Sequence, residues 1–273
     1  MPQDQQPTRE VNAIIARASE EPSLTTRSIP VEAPLAIEVN DAIVAHLMRT
    51  PGNDIELAIG FCYTEGILNG MQDVESVQLC PDDAGKVTVR TTKAVATRAP
   101  VMLTSACAGG RIGESFELPE PLPAGDLTIQ AEALLGAAGR LRESQTIRQA
   151  AGAVHAAAIL SADGQPLVAR EDVGRHNAID KAIGQCVYQG CGLKNSILLS
   201  TGRASSEMVL KAARARIPVA ASRSGSTSLG VELAQLLGVT LVCYVKSAQM
   251  TILTHGDRIE QAPSLDSSRE TGV

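Results

Sequence analysis

No tryptophan occurs in the 273 residues, and aromatic side chains make up only 2% of them. That scarcity argues against a base-stacking platform for single-stranded nucleic acid. Positive charge is also in deficit: 24 Lys and Arg face 30 Asp and Glu, a net charge of −6, with a pI near 5.3. Bulk electrostatics therefore support neither nucleic acid nor an anionic membrane as a partner, and any anion site must be local. No apolar run approaches the ~20 residues of a membrane span. The polar start Met1-Pro2-Gln3-Asp4-Gln5-Gln6 carries no apolar signal segment. The chain reads as soluble and cytoplasmic.

Six cysteines (Cys62, Cys80, Cys107, Cys186, Cys191 and Cys243) are too few for a disulfide scaffold at this length. Neither Cys-x-x-Cys nor His-x-Glu occurs, so a zinc site has little to stand on, and no metal ligands are assigned. Five of the cysteines lie in or beside apolar or helical stretches and read as small hydrophobes. Cys107 differs, because Thr104, Ser105, Ala106, Ala108, Gly109 and Gly110 surround it. The glycines allow close backbone approach, and Arg111 would favour a thiolate. An ordinary loop cysteine fits the spacing as well. As a nucleophile it needs a base, for which His155, His176 and His255 are the candidates.

What is present is mostly aliphatic: 44% of the residues are hydrophobic, and Ala, Val, Leu and Ile must build the core, as suits helices packed on a sheet. Residues 1–28 are polar and read as a disordered tail. Residues 29–125 form a β-rich N-terminal domain. Its expected parts are a hairpin around Asn40-Asp41, a helix capped by Asp54, a strand pair across Pro81 to Gly85, the Cys107 loop and a proline-rich connector. In residues 126–273 a long helix leads into alternating strands and helices, which predicts a mostly parallel sheet covered on both faces. The fold class expected is α/β, or α+β for the whole chain.

Ligands of such sheets bind beyond the carboxyl ends of the strands. Three of those ends are Thr201 to Glu207, Ser222 to Ser228, and Val245 to Gln249. Each offers a cation (Arg203, Arg223 or Lys246) among small hydroxyl or glycine residues, and the first two open helices. Helix N-termini with fixed guanidinium groups make phosphate sites. Ala169 to Lys181 is denser still, with Arg170, Glu171, Asp172, Arg175, His176, Asp180 and Lys181 around Gly174. It reads either as an active-site loop leading into a helix or as a salt-bridged helix start.

Val31-Glu32-Ala33-Pro34-Leu35, Met48-Arg49-Thr50-Pro51-Gly52, Gly152-Ala153-Val154-His155-Ala156-Ala157, Glu171 to Lys181, Gly202-Arg203-Ala204-Ser205 and Thr254-His255 together resemble the FdhD/NarQ family, the formate dehydrogenase accessory sulfurtransferases. The resemblance covers nearly everything after residue 28. It implies a C-terminal domain similar to cytidine deaminases, without their zinc chemistry, since Ala157 stands where the deaminase Glu would be. It further implies a cysteine desulfurase that delivers sulfur to Cys107 as a persulfide. The acceptor it implies is the molybdenum cofactor in its bis-molybdopterin guanine dinucleotide form, for formate dehydrogenase. Tyr244, Val245, Lys246, Ser247, Ala248 and Gln249 match the family's cofactor-binding loop, for which a guanine nucleotide could be a mimic, and a homodimer is suggested. Two positions depart from the family pattern: Gly110 replaces a second cysteine, and Ser247-Ala248-Gln249 lacks a glycine and a second basic residue. The alternatives are a non-covalent cofactor chaperone and a cysteine hydrolase using Cys107.

Overall fold

The computed structural model describes residues 6–92, 118–125 and 127–260, and 101–103 by their backbone. Cys107 lies outside the described residues.

The first element corrects the reading of residues 1–28 as a disordered tail. Strands β1 (Thr8–Ile15) and β2 (Ser23–Pro30) form an antiparallel ribbon in which Thr8 pairs with Pro30 and Ile15 with Ser23. Val11, Ala13 and Ile15 alternate with more exposed residues, the period-2 pattern of a half-covered strand. The overall polarity of the segment masks that alternation.

A five-stranded sheet in the order β5-β6-β3-β4-β7 follows, built from β3 (Ala33–Val39), β4 (Ala42–Arg49), β5 (Val74–Cys80), β6 (Asp83–Thr91) and β7 (Val101–Leu103). The β3–β4 hairpin turns at Asn40 and Asp41, both with positive φ, the mirror-image turn that suits strand twist. Helix α1 (Asp54–Thr64) starts one residue earlier than a cap at Asp54 requires. Asn53 takes the cap position, while Asp54 accepts from Arg49 Nε at 2.8 Å and Nη2 at 2.9 Å.

The second sheet has six strands in the order β13-β12-β11-β10-β8-β9. These are β8 (His155–Ser161), β9 (Pro166–Asp172), β10 (Ser196–Ser200), β11 (Val219–Ser222), β12 (Thr240–Cys243) and β13 (Thr251–Thr254). Only β10–β11 and β11–β12 pair in parallel, whereas β9–β8, β8–β10 and β12–β13 are antiparallel. The expected mostly parallel sheet is therefore a mixed one. Short hairpin loops at 162–165 and 244–250 reverse the chain, which no parallel crossover can do. Because β8 runs against both of its neighbours, β9, β10, β11 and β12 nevertheless all point the same way.

Both faces are covered. Helices α4 (Arg175–Gln189), α5 (Ser206–Arg214) and α6 (Ser228–Leu236) pack on one, against Ile159, Leu198, Ala220 and Leu241. Helix α2 (Ala131–Glu143) lies on the other, against Ala158, Leu160 and Leu199. The short helix α3 (Thr146–Ala151) joins α2 to β8 and adjoins the β1–β2 ribbon. The proline-rich connector is pinned to the second sheet's layer: Leu122 N–H donates to Leu237 O at 2.8 Å, and Arg258 Nη2 donates to Pro123 O at 2.9 Å.

Helix α1 fastens the two sheets together. One side of it covers the five-stranded sheet through Leu57, Ala58 and Phe61, and the other lies against α4. Gly60 and Gly184 mark the crossing, since a Cβ on either would overlap a backbone carbonyl of the facing helix. The missing side chains let the two backbones touch.

Candidate functional site

Because β9 to β12 run in one direction, their carboxyl ends share one edge of the sheet, about 19 Å long at ~4.8 Å per strand step. The three strand-end loops singled out above meet there. So does the β9–α4 corner, and so does His155, the first residue of β8. His155 is thus a half-buried edge residue. His255 follows β13, which runs the other way, and its Nε2 lies 3.0 Å from Gln235 O at the opposite end.

Short backbone bonds tie the loops together. Thr201 N–H donates to Ala156 O at 2.9 Å, Arg223 N–H to Ser200 O at 2.9 Å, Tyr244 N–H to Ser224 O at 2.9 Å and Val245 N–H to Ser222 O at 3.0 Å. Ser222 Oγ donates to Gly202 O at 2.6 Å and accepts from Ser224 N–H at 2.9 Å. Two glycines make room for larger neighbours: a Cβ on Gly202 would meet Arg175 Cβ at 2.8 Å, and one on Gly225 would meet the Tyr244 hydroxyl at 2.5 Å. Tyr244, in the left-handed region at φ 54, and Lys246, Ser247, Ala248 and Gln249 stand exposed at the end of β12, while Val245 is buried beneath them. The Nε atoms of Arg175 and Arg223 are buried and have no hydrogen-bond partner in the structure. A row of cations with free donors, at the heads of α4, α5 and α6, suits an extended anionic ligand.

The charged run Ala169 to Lys181 divides into two uses. Arg175 and His176 face the edge. Most of the others hold the corner in shape: Glu171 caps α3 by accepting from Ile147 N–H at 2.8 Å and Arg148 N–H at 2.9 Å. Fully buried Asp172 accepts from Thr50 N–H, Gly174 N–H and Asn177 Nδ2 and pairs with Lys181 Nζ at 2.7 Å. Asp180 pairs with Lys211 Nζ at 2.9 Å and accepts from Thr64 Oγ1 at 2.8 Å, joining α1, α4 and α5.

Burial and then the nearby Arg175 guanidinium, followed by His176 and Arg148, hold the His155 imidazole below its ordinary pKa, against a smaller opposing pull from Asp172. Protonating it is therefore harder in the folded protein than in the unfolded chain. The stability it contributes is present above about pH 6.5 and is lost as pH falls through that value toward the depressed folded one. Between about pH 7.5 and 5.5, wild-type urea midpoints should drop further than those of His155→Gln. Parallel pH curves would remove the argument.

Sequence reasoning missed Gln145. It is 1% exposed, and neither its Oε1 nor its Nε2 has a hydrogen-bond partner. It lines a cavity of about 190 Å³ with Asn53, Thr146, Arg170, Glu171 and Lys181. A glutamine at the join of α2 and α3 gives no signal in sequence, and only its unpaired burial marks it. Among the described residues, no three His, Cys, Asp or Glu side chains cluster as metal ligands. No described helix is long and apolar enough to cross a membrane.

Comparison with known proteins agrees with this architecture. The chain is 41% identical over 251 residues to the sulfur carrier protein FdhD of Mycolicibacterium paratuberculosis, covering 85% of this chain and 92% of that one. It is 37% identical over 233 residues to the protein of that name from Sulfolobus acidocaldarius, covering 85% and 91%. The crystal structure of a formate dehydrogenase accessory protein from Desulfotalea psychrophila superposes with a TM-score of 0.75 at 26% identity, over 92% of this chain and 99% of that one. Residues 30–260 match the family model described as FdhD/NarQ. The chain belongs to the FdhD/NarQ family.

Proposed function

We propose that this protein is a sulfur carrier serving formate dehydrogenase. In this reading, Cys107 accepts sulfane sulfur from a cysteine desulfurase as a persulfide. It then passes that sulfur to a molybdenum cofactor, in the bis-molybdopterin guanine dinucleotide form, held as substrate along the strand-end edge. The observation that carries the reading is that edge: Arg175, Arg203, Arg223 and Lys246 line the ends of strands whose helices present their N-termini, as the pyrophosphates of a dinucleotide require. Tyr244 to Gln249 would form one end of the binding surface.

Two further observations support Cys107 as the carrier. Burial pushes the Cys62 thiol far up, and raises Cys186 to about 12 and Cys243 to about 11. Those three sulfurs stay protonated and poorly nucleophilic at neutral pH. Strand β7 runs parallel to β4, with Leu103 opposite Leu47. Cys107 follows Leu103 by four residues in the chain, and β4 ends at Arg49, next to Thr50, which bonds the β9–α4 corner through Asp172 and Val173. We further read the layered C-terminal domain as cytidine deaminase-like and the working unit as a homodimer.

In the transfer, the Cys107 thiolate bonds to the terminal sulfur of the donor persulfide and the donor's S–S bond breaks, returning its cysteine thiolate. Incubation with a cysteine desulfurase and cysteine should add about 32 Da at Cys107. Cys107→Ala should abolish both this adduct and the maturation of formate dehydrogenase. A Cys107→Ala protein that still matures the enzyme would favour the second reading, a non-covalent cofactor chaperone. Gly110, standing where the family carries a second cysteine, is what supports that alternative, although one sulfur suffices for a persulfide.

A further inference from the structure

The head of helix α5 holds a hydrogen-bonded chain that the sulfur chemistry does not use. Glu207 Oε2 lies 2.8 Å from His176 Nδ1, and His176 Nε2 lies 3.3 Å from Ser205 Oγ. A carboxylate can only accept, so Nδ1 carries a proton, and in the neutral ring Nε2 presents its lone pair to the serine hydroxyl. The ring is fixed from both sides, with its side chain 12% exposed. Ser205 is half-buried at the mouth of the strand-end edge.

Its position in the chain matters too. Ser205 ends the loop from β10 and precedes the first residue of α5, and its side chain makes no capping bond to that helix. The first N–H groups of a helix have no intrahelical acceptor, so those of Ser206 and Glu207 remain as donors beside the Ser205 hydroxyl. A serine between strand and helix, a base on its hydroxyl, a carboxylate behind the base and backbone donors at the next residue are the parts of a nucleophilic acyl-transfer site.

We infer that Ser205, His176 and Glu207 form a nucleophile, base and carboxylate relay that cleaves an acyl group carried on a small anionic molecule. Ser205 Oγ bonds to the carbonyl carbon while its proton passes to His176 Nε2, and the carbonyl oxygen takes up negative charge against the helix N–H groups. Collapse breaks the bond to the leaving group, which receives the proton from His176. Water then repeats the sequence and frees the acid. Arg175, Arg203 and Arg223 along the same edge select the anionic carrier. Glu207 is a positioning residue, because it acts only through the imidazole.

The test uses the whole wild-type protein and a fluorophosphonate probe. Ser205 Oγ should bond to phosphorus, its proton passing to His176 as fluoride leaves, with one equivalent of fluoride per chain. The label should sit on Ser205 within the tryptic peptide Ala204 to Lys211. His176→Ala, checked for an unchanged melting temperature, should slow labelling by at least ~100-fold, and Glu207→Gln by less, as for the carboxylate of other relays. Cys107→Ala should label at the wild-type rate, which separates this site from the sulfur-carrier reading. No label on Ser205 in wild-type protein under conditions that fully label a serine hydrolase would overturn the proposal. So would label that persists in Ser205→Ala, or a rate indifferent to the loss of His176.

Discussion

Gly184→Ala is expected to cost about 3 kcal/mol of stability or more, the upper range for overpacking a filled interior. The added methyl has nowhere to go. It would fall on the Glu56 carbonyl oxygen of α1, and the nearest atoms behind it are the Glu56 carbonyl carbon and the Gly60 nitrogen. All three are backbone atoms, so relief requires moving a whole helix rather than one flexible side chain. Gly60→Ala should do similar damage from the other side, against Asp180. Because α1 is wedged between the five-stranded sheet and α4, a shift there loosens both sheets together. Gly139→Ala in α2 is the control: nothing lies within 4 Å of its added Cβ, and it should be neutral or stabilising by up to ~1 kcal/mol. Urea denaturation of the three variants distinguishes them. A Gly184→Ala protein with the wild-type midpoint would show that the two backbones are not in contact.

Asp172→Asn should be at least as damaging, by about 3–5 kcal/mol, the cost of removing one partner from a buried ion pair. The carboxylate is completely buried and makes four contacts: Thr50 N–H at 3.1 Å, Gly174 N–H at 2.9 Å, Asn177 Nδ2 at 3.0 Å and Lys181 Nζ at 2.7 Å. Lys181 is 1% exposed, and its remaining bond is to Thr50 O at 2.7 Å. The neutral amide would leave that ammonium buried without a counter-charge and set an N–H₂ against donors. The double variant Asp172→Asn/Lys181→Met should recover part of the loss, because it removes the stranded charge. Equal stabilities for the single and double variants would count against this account. The same pair anchors the end of β4 to the head of α4, so loosening it should also misplace Arg175 and His176.

Much of the secondary structure was legible in sequence. The hairpin around Asn40-Asp41, the strand pair across Pro81 to Gly85 and the long helix early in residues 126–273 were expected and are found as β3–β4, β5–β6 and α2. The ribbon over residues 8–30 was not, because its apolar positions are few and diluted by charge. The antiparallel edge strand β13 was not legible either, since it is four residues long and follows a loop that reads as an extension of β12.

The candidate site shows the same division. Local composition alone identified Arg203, Arg223 and Lys246 as cations at strand ends, since each sits beside small residues at the close of an apolar run. The family, too, followed from sequence, through short motifs scattered from Val31 to His255. Tertiary structure decided which of those ends meet. Strand order and direction, set by long-range pairing, placed His155 and His176 on the edge and His255 away from it. It also gave the run Ala169 to Lys181 its roles. Buried partners fix Asp172, Asp180 and Lys181 as supports, because a charge out of water must find its counter-charge wherever the fold brings one. Arg175 and His176 were left half-buried at the strand-end edge.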